Sequence, residues 1–285
     1  MNRFAGLAFT LAACSESSAP AVPDSAVDAT PARCDPSQPF GPPVPIPSLN
    51  TEHDDATLTL TADELTAVIG REVLPEPQPV MMFLATRADR DAAFEPATIE
   101  LLGFVDQTGT ENHPSLTGDG LTLYYKRRVP NRNELAVSTR RDVASPFTAA
   151  TVVTVAGEDG GGNEPRITAD GQRLYFGSAT QLLMATRLDS PSAFAAPTPV
   201  SDGGIGAYAL SQDELSLYHM SAGRMVLATR ASTADVFAVP GAPVTAAPPG
   251  AFPLFLTEDD CILYVENRET GGGVRTDLSE MRRPR

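Results

Sequence analysis

Along most of this chain, short runs in which apolar and polar side chains alternate are separated by small, turn-forming residues. Leu121, Leu123 and Tyr125 fall on one side of such a run, as do Leu174 with Phe176 and Leu215 with Leu217. A period of two places those side chains on one face of a β-strand. Other strand-like runs are Met82-Phe-Leu-Ala85, Leu182-Leu-Met-Ala185, Met225-Val-Leu-Ala228 and Thr151-Val-Val-Thr-Val155.

These runs recur around three landmarks. The first is a hydroxyl residue, any residue, then aspartate: Thr61-Ala-Asp63, Thr117-Gly-Asp119, Thr168-Ala-Asp170, Ser211-Gln-Asp213 and Thr257-Glu-Asp259. In two copies Gly120 or Gly171 follows, and Asp-Gly between apolar runs signals a hairpin because both residues tolerate positive φ. The second landmark is the arginine of Ala85-Thr-Arg87, Ser138-Thr-Arg140, Ala185-Thr-Arg187 and Ala228-Thr-Arg230. The third is a phenylalanine seven residues on, at Phe94, Phe147, Phe194 and Phe237. With four short strands per unit, and aspartates 43 to 56 residues apart, the spacing is that of propeller blades.

The fifth unit ends at Arg283-Pro-Arg285 without its phenylalanine or fourth strand. Arg33, Phe40 and the stretch Pro43-Val-Pro-Ile46 carry that pattern at the other end of the repeat region. The expectation is an all-β, five-bladed propeller over residues 32–285, its last blade closed by the N-terminal strand. Closure in this way removes the open edge of a linear array. It also brings Cys34 and Cys261 into one blade, where a disulfide would lock the ring.

Pro114-Ser-Leu-Thr-Gly-Asp-Gly-Leu-Thr-Leu-Tyr-Tyr125 and Pro165-Arg-Ile-Thr-Ala-Asp-Gly-Gln-Arg-Leu-Tyr-Phe176 resemble the TolB-type, WD-repeat-like propeller repeats of bacterial envelope proteins. Units one, four and five depart from that pattern, with Glu64, Glu214 and Asp260 in place of glycine. The N-terminus points to the same compartment. A basic start, an apolar run from Phe4 to Leu11 and the tetrad Leu11-Ala-Ala-Cys14 resemble a lipoprotein signal, which implies a signal peptide over 1–13 and lipidation at Cys14. Residues 14–31, rich in Ser, Ala, Pro and Asp, read as a flexible tether. The resemblance implies an outer-membrane lipoprotein, because position 15, next to the cysteine, is serine and not acidic, and membrane contact through the lipid alone.

Charge narrows the partners. With 36 acidic and 21 basic residues the net charge is −15, a field that neither nucleic acid nor an anionic lipid surface would attract. His53, His113 and His219 stand singly, so no metal or cofactor is expected. Gly160-Gly-Gly162 and Gly271-Gly-Gly273 lack a following Lys-Ser/Thr and read as hairpin loops.

Polar residues just ahead of the first strand of a blade face the channel mouth. Those residues are Asp54, Asp55, Glu111, Asn112, His113, Asn163 and Glu164, all from the first three units, while units four and five are bland there. This asymmetry points to a non-catalytic, monomeric scaffold that binds an envelope protein, a peptide or a glycan. The alternative is a glycoside hydrolase. Five-bladed arabinanase-type enzymes draw three acids from successive blades, and Asp55, Glu111 and Glu164 would fill those places, provided that one has a raised pKa. The repeated arginine reads as structural, pairing between blades with aspartates or backbone carbonyls.

Overall fold

Each Thr-x-Asp landmark is a hairpin turn tied by its own side chains. The Thr117 hydroxyl donates to Asp119 Oδ1 at 2.6 Å and accepts the Thr122 amide at 3.1 Å, while Asp119 Oδ1 also takes the Leu121 amide at 2.9 Å. The same bonds recur at Thr61, Thr168, Ser211 and Thr257. The residue after the aspartate is left-handed in every copy: Glu64 (φ 61), Gly120 (69), Gly171 (70), Glu214 (63) and Asp260 (56). Glycine takes that conformation freely and other residues do so at a cost, so the glycine of units two and three marks a geometry that all five units share.

The computed structural model describes residues 32–72, 80–95, 100–101, 111–129, 132–157, 162–178, 180–189, 193–268 and 275–285. Cys14, the segments 1–13 and 14–31, and most of both glycine runs lie outside them. Among the described residues twenty strands form five antiparallel sheets of four. Blade one is β2 (Asp55–Leu60), β3 (Thr66–Glu72), β4 (Val80–Thr86) and β5 (Glu100–Leu101). Blade two is β6 (Glu111–Leu116), β7 (Thr122–Val129), β8 (Arg132–Thr139) and β9 (Thr151–Val152). Blade three is β10 (Asn163–Ile167), β11 (Arg173–Gly177), β12 (Leu182–Thr186) and β13 (Thr198–Pro199). Blade four is β14 (Tyr208–Leu210), β15 (Ser216–Ser221), β16 (Arg224–Thr229) and β17 (Ala242–Pro243). Blade five is β18 (Ala251–Leu256), β19 (Ile262–Arg268) and β20 (Thr276–Arg282), completed by β1 (Val44–Pro45). β1 pairs antiparallel with β20, Val44 opposite Glu280, so the N-terminal segment closes the ring as expected.

Five apolar clusters fill the five seams between blades. Leu58, Ile69, Leu254 and Tyr264 meet where blade five joins blade one, and Val68, Met82, Leu123 and Tyr125 where one joins two. Tyr124, Leu135, Phe176 and Phe194 fill the next seam, then Tyr175, Tyr208, Leu217 and Phe237, then Tyr218, Met225, Leu256 and Leu263. A lone four-stranded sheet would leave such side chains wet. At about 25 cal/mol per Å² of apolar area, seam burial drives the blades together. Cys34, in the loop ahead of β1, is bonded to Cys261 beside β19, with α-carbons 5.6 Å apart across 227 residues of chain. Closing so long a loop is worth about 3–5 kcal/mol in the chain-entropy account.

The repeated arginine acts within its own blade, not chiefly between blades. Its Nε donates to the carbonyl of the left-handed residue: Arg87 to Glu64, Arg140 to Gly120, Arg187 to Gly171, Arg230 to Glu214 and Arg283 to Asp260, all at 2.7 or 2.8 Å. Each guanidinium also lies 4.1–4.8 Å from the centroid of the landmark phenylalanine ring. In the fifth unit the partner of Phe40 is Arg283, and not Arg33, which stands seven residues before it in the chain. Arg33 instead bridges Glu64 of blade one and Asp259 of blade five. It can do so because Glu64 replaces glycine and brings a carboxylate to the seam. Blade-to-blade bonds come from the outer nitrogens: Arg230 and Arg283 donate to Tyr175 and Tyr218 of the preceding blade at 3.1 and 2.9 Å, and Arg187 holds Tyr124.

Two stability measurements follow from these contacts. Arg230→Ala removes bonds to the Glu214 and Asp235 carbonyls and to Tyr175 from a side chain only 6% exposed; a loss of about 2–4 kcal/mol is expected in urea unfolding. Asp260→Gly should stabilise by about 1 kcal/mol in the same assay, since it relieves a left-handed residue. It also removes a carboxyl that burial and the neighbouring Asp213 push up to about 6.

Candidate functional site

The innermost strands β2, β6, β10, β14 and β18 begin at one end of the channel and reach their landmark turns at the other. Near the mouth the register slips between Asp55 and Thr57, between Asn112 and Ser115, between Asn163 and Arg166, and between Pro253 and Phe255. Such bulges re-aim side chains. In blades two and three they hold His113 and Glu164, which occupy the same repeat position, at φ 54 and 52. Glutamate does not favour this conformation and histidine does so only among the polar exceptions, and left-handed backbone of this kind costs of order 1–3 kcal/mol.

Asp54 and Asp55 sit side by side and do different work. Asp55 is fully buried, pairs with Arg71 and accepts both the amide and the hydroxyl of Thr51 at 2.7 and 3.1 Å. Burial pushes its carboxyl up and these donors oppose the push. Its oxygens are occupied within the protein by Arg71 and Thr51. Asp54 is half-buried, and its Oδ1 takes the Thr276 amide of blade five at 2.9 Å.

Glu111 opens β6 opposite Arg127, and its side chain lies outside the described atoms. Asn112 turns its Oδ1 to the His113 amide at 2.7 Å, and Asn163 accepts from Asn133 at 3.2 Å. Both therefore shape the mouth locally. His113 is held well below its usual pKa, first by burial and then by Lys126 and Arg166, so its imidazole is neutral. Burial raises the carboxyl of Glu164 against the pull of Arg166 and Lys126, and it lowers the Lys126 ammonium.

Two groups escape the sequence pattern because they come from other strands. Glu266, on β19 opposite Phe252, is 8% exposed. Burial pushes it up to about 7, opposed by Arg268 at 3.2 Å and reinforced by the charges of Asp54 and Glu164. Blade five is therefore not bland at the mouth. Arg268 itself lies 4.7 Å over the Phe252 ring. Blade four contributes His219, buried, with its Nδ1 3.2 Å from the Met220 carbonyl oxygen and its Nε2 2.9 Å from that of Pro240. The mouth thus gathers Asp54, Glu164 and Glu266 from three blades, interleaved with Lys126 and Arg268. Among the described residues no group of three His, Cys, Asp or Glu is placed to hold a metal ion.

The pH dependence of stability tests the environment of Glu266. Its folded pKa, about 7, lies above the ordinary 4.5, so the folded protein retains a proton that the unfolded chain releases. Stability attributable to Glu266 is complete below the ordinary value and falls as pH rises through the folded one. Between about pH 5 and about pH 8 the wild type should lose about 1–3 kcal/mol more than Glu266→Gln in urea titrations.

No family model matches the chain, and no curated protein matches it significantly in sequence. Solved structures do match its architecture. TolB from Acinetobacter baumannii superposes with a TM-score of 0.51 at 13% identity over 84% of this chain; the match spans 56% of TolB, little more than half its length. The GH43_1 enzyme from Xanthomonas citri, complexed with xylose, gives a TM-score of 0.60 at 16% identity over 84% of this chain and 88% of the enzyme. The α-L-arabinofuranosidase PaAbf62A from Podospora anserina, in complex with cellotriose, gives 0.55 at 13% identity over 87% and 98%. At these identities the likeness is one of fold: this chain is a five-bladed β-propeller, and TolB and glycoside hydrolases are among the solved structures that its fold resembles.

Proposed function

We propose that this chain is a lipid-anchored propeller of the bacterial envelope, of the TolB-like kind, whose channel mouth recognises a glycan without cleaving it. The observation that carries the reading is the pair His113 and Glu164, held left-handed in adjacent blades at the mouth. Backbone strain of this kind at a polar opening supports binding over mere surface charge.

The charge pattern supports a polyhydroxyl ligand. Asp54, Glu164 and Glu266 offer acceptors while Lys126, Arg268 and neutral His113 stand among them, so a ligand of one sign would meet attraction and repulsion together. Sugar hydroxyls donate and accept in turn and suit a mixed field. The Phe252 ring adds an apolar face of the kind that sugar rings stack on. The anchor at Cys14, an outer-membrane location and a monomeric state belong to the same proposal. They rest on the lipobox resemblance and on a ring that closes on itself.

A second reading, glycoside hydrolysis, draws on Glu266. A carboxyl near pKa 7 suits a general acid, and Asp54 and Glu164 would serve as its partners in place of Asp55. The two readings separate in one experiment. Purified protein is titrated with a panel of envelope and plant-type polysaccharides by calorimetry, and reducing ends are measured in parallel. The binding reading expects saturable heat with no release of reducing ends. It also expects Glu164→Gly to melt higher than the wild type while losing at least tenfold in affinity, because the strained side chain is the one that recognises. Release of reducing ends that Glu266→Gln abolishes would establish hydrolysis, and absence of heat with every glycan would refute both.

A further inference from the structure

The channel axis carries one more constellation that neither reading uses. Each innermost strand bonds to its blade along one edge only, so its other edge turns carbonyl oxygens towards the axis with no strand to receive them. The residue three before the landmark hydroxyl is Leu58, Pro114, Pro165, Tyr208 or Leu254 in successive blades. Four of these five equivalent carbonyls meet at a single guanidinium. Arg166 Nη1 donates to Pro114 O at 3.1 Å and, at the long limit of 3.5 Å, to Pro165 O. Its Nη2 donates to Leu254 O at 2.5 Å and to Tyr208 O at 3.4 Å. The group also lies 5.8 Å from the centroid of the Tyr208 ring.

Three features set this arginine apart from the repeated ones. It occurs in one blade only, where the other blades have Thr59, Ser115, Ala209 and Phe255. Its hydrogen-bond acceptors among the described residues are backbone carbonyls drawn from four different blades, whereas a repeated arginine bonds a carbonyl of its own blade. It also forms one wall of a cavity of about 80 Å³ that runs towards the landmark turns between Leu60, Leu210, Leu254 and Leu256.

We propose that the ring of five equivalent carbonyls is a cation site on the propeller axis, and that the Arg166 guanidinium is its resident cation. Convergent carbonyl dipoles repel one another unless a positive charge lies among them. A guanidinium carried by the chain supplies that charge with fixed geometry and without loss to solvent. The fold then closes without a free ion, and the mouth is separated from the cavity on the turn side. The ligand class that fits the ring is a planar guanidinium or a small monovalent cation.

The test is chemical rescue. Arg166→Ala should melt well below the wild type, and millimolar guanidinium chloride should raise its melting temperature by a few degrees, where equal ionic strength of tetramethylammonium chloride does not. Guanidinium should give the wild type no such gain, because its site is filled. Arg166→Lys and Arg166→Met fill similar space and differ in charge, so Lys should melt higher than Met. An Arg166→Ala protein that guanidinium leaves unchanged, or an Arg166→Met protein as stable as Arg166→Lys, would overturn the proposal. The comparison of Lys with Met holds even where the alanine variant does not fold.

Discussion

One clamp, repeated five times, sets the position of nearly everything else. A guanidinium donates from Nε to the carbonyl of a left-handed turn residue while its flat face rests on a phenylalanine from the same blade. The turn fixes where that carbonyl points, and the arginine then fixes how the end of the third strand sits over the turn. In three places its outer nitrogens continue to a tyrosine of the preceding blade. A local feature of four residues thereby governs the angle between neighbouring sheets. Because the seams form between successive blades, small errors in that angle would add around the ring and prevent closure.

The clamp was legible in the chain because it repeats. Thr-x-Asp, Thr-Arg and the phenylalanine at a fixed offset recur with constant spacing, and a period of two between them gives strands. Closure by the N-terminal strand and the bond between Cys34 and Cys261 followed from the same alignment. Arg33 misled because it stands seven residues before Phe40, as the repeat requires, while Arg283 reaches Phe40 from across the chain terminus. Spacing alone cannot tell two arginines apart when the repeat wraps from one end of the chain to the other.

At the mouth, alignment found the strands and not the partners. Asp55 and Asp54 are adjacent and chemically alike, yet Arg71 and Thr51 enclose one of them. Glu266 was invisible because it comes from a second strand, entering the mouth opposite Phe252. The register of a sheet places it there, and no linear motif encodes that register. His113 and Glu164 were visible as polar residues at one repeat position. Their left-handed backbone was not, because it sits at bulges set by the register of each sheet.

The seams are not equally fastened, and the inequality has a mechanical meaning. Tyr124, Tyr175 and Tyr218 tie three of them, and Arg33, next to the disulfide-bonded Cys34, ties the seam at the chain ends. Blade one has Val68 at the tyrosine position, so Arg140 Nη2 is buried there without a partner. That seam forgoes the cross-blade tyrosine bond and is held instead by the packing of Val68, Met82, Leu123 and Tyr125 and by the Ala62 amide, which donates to the Gly118 carbonyl at 3.0 Å, so there the ring resists opening by shape and not by a polar pair.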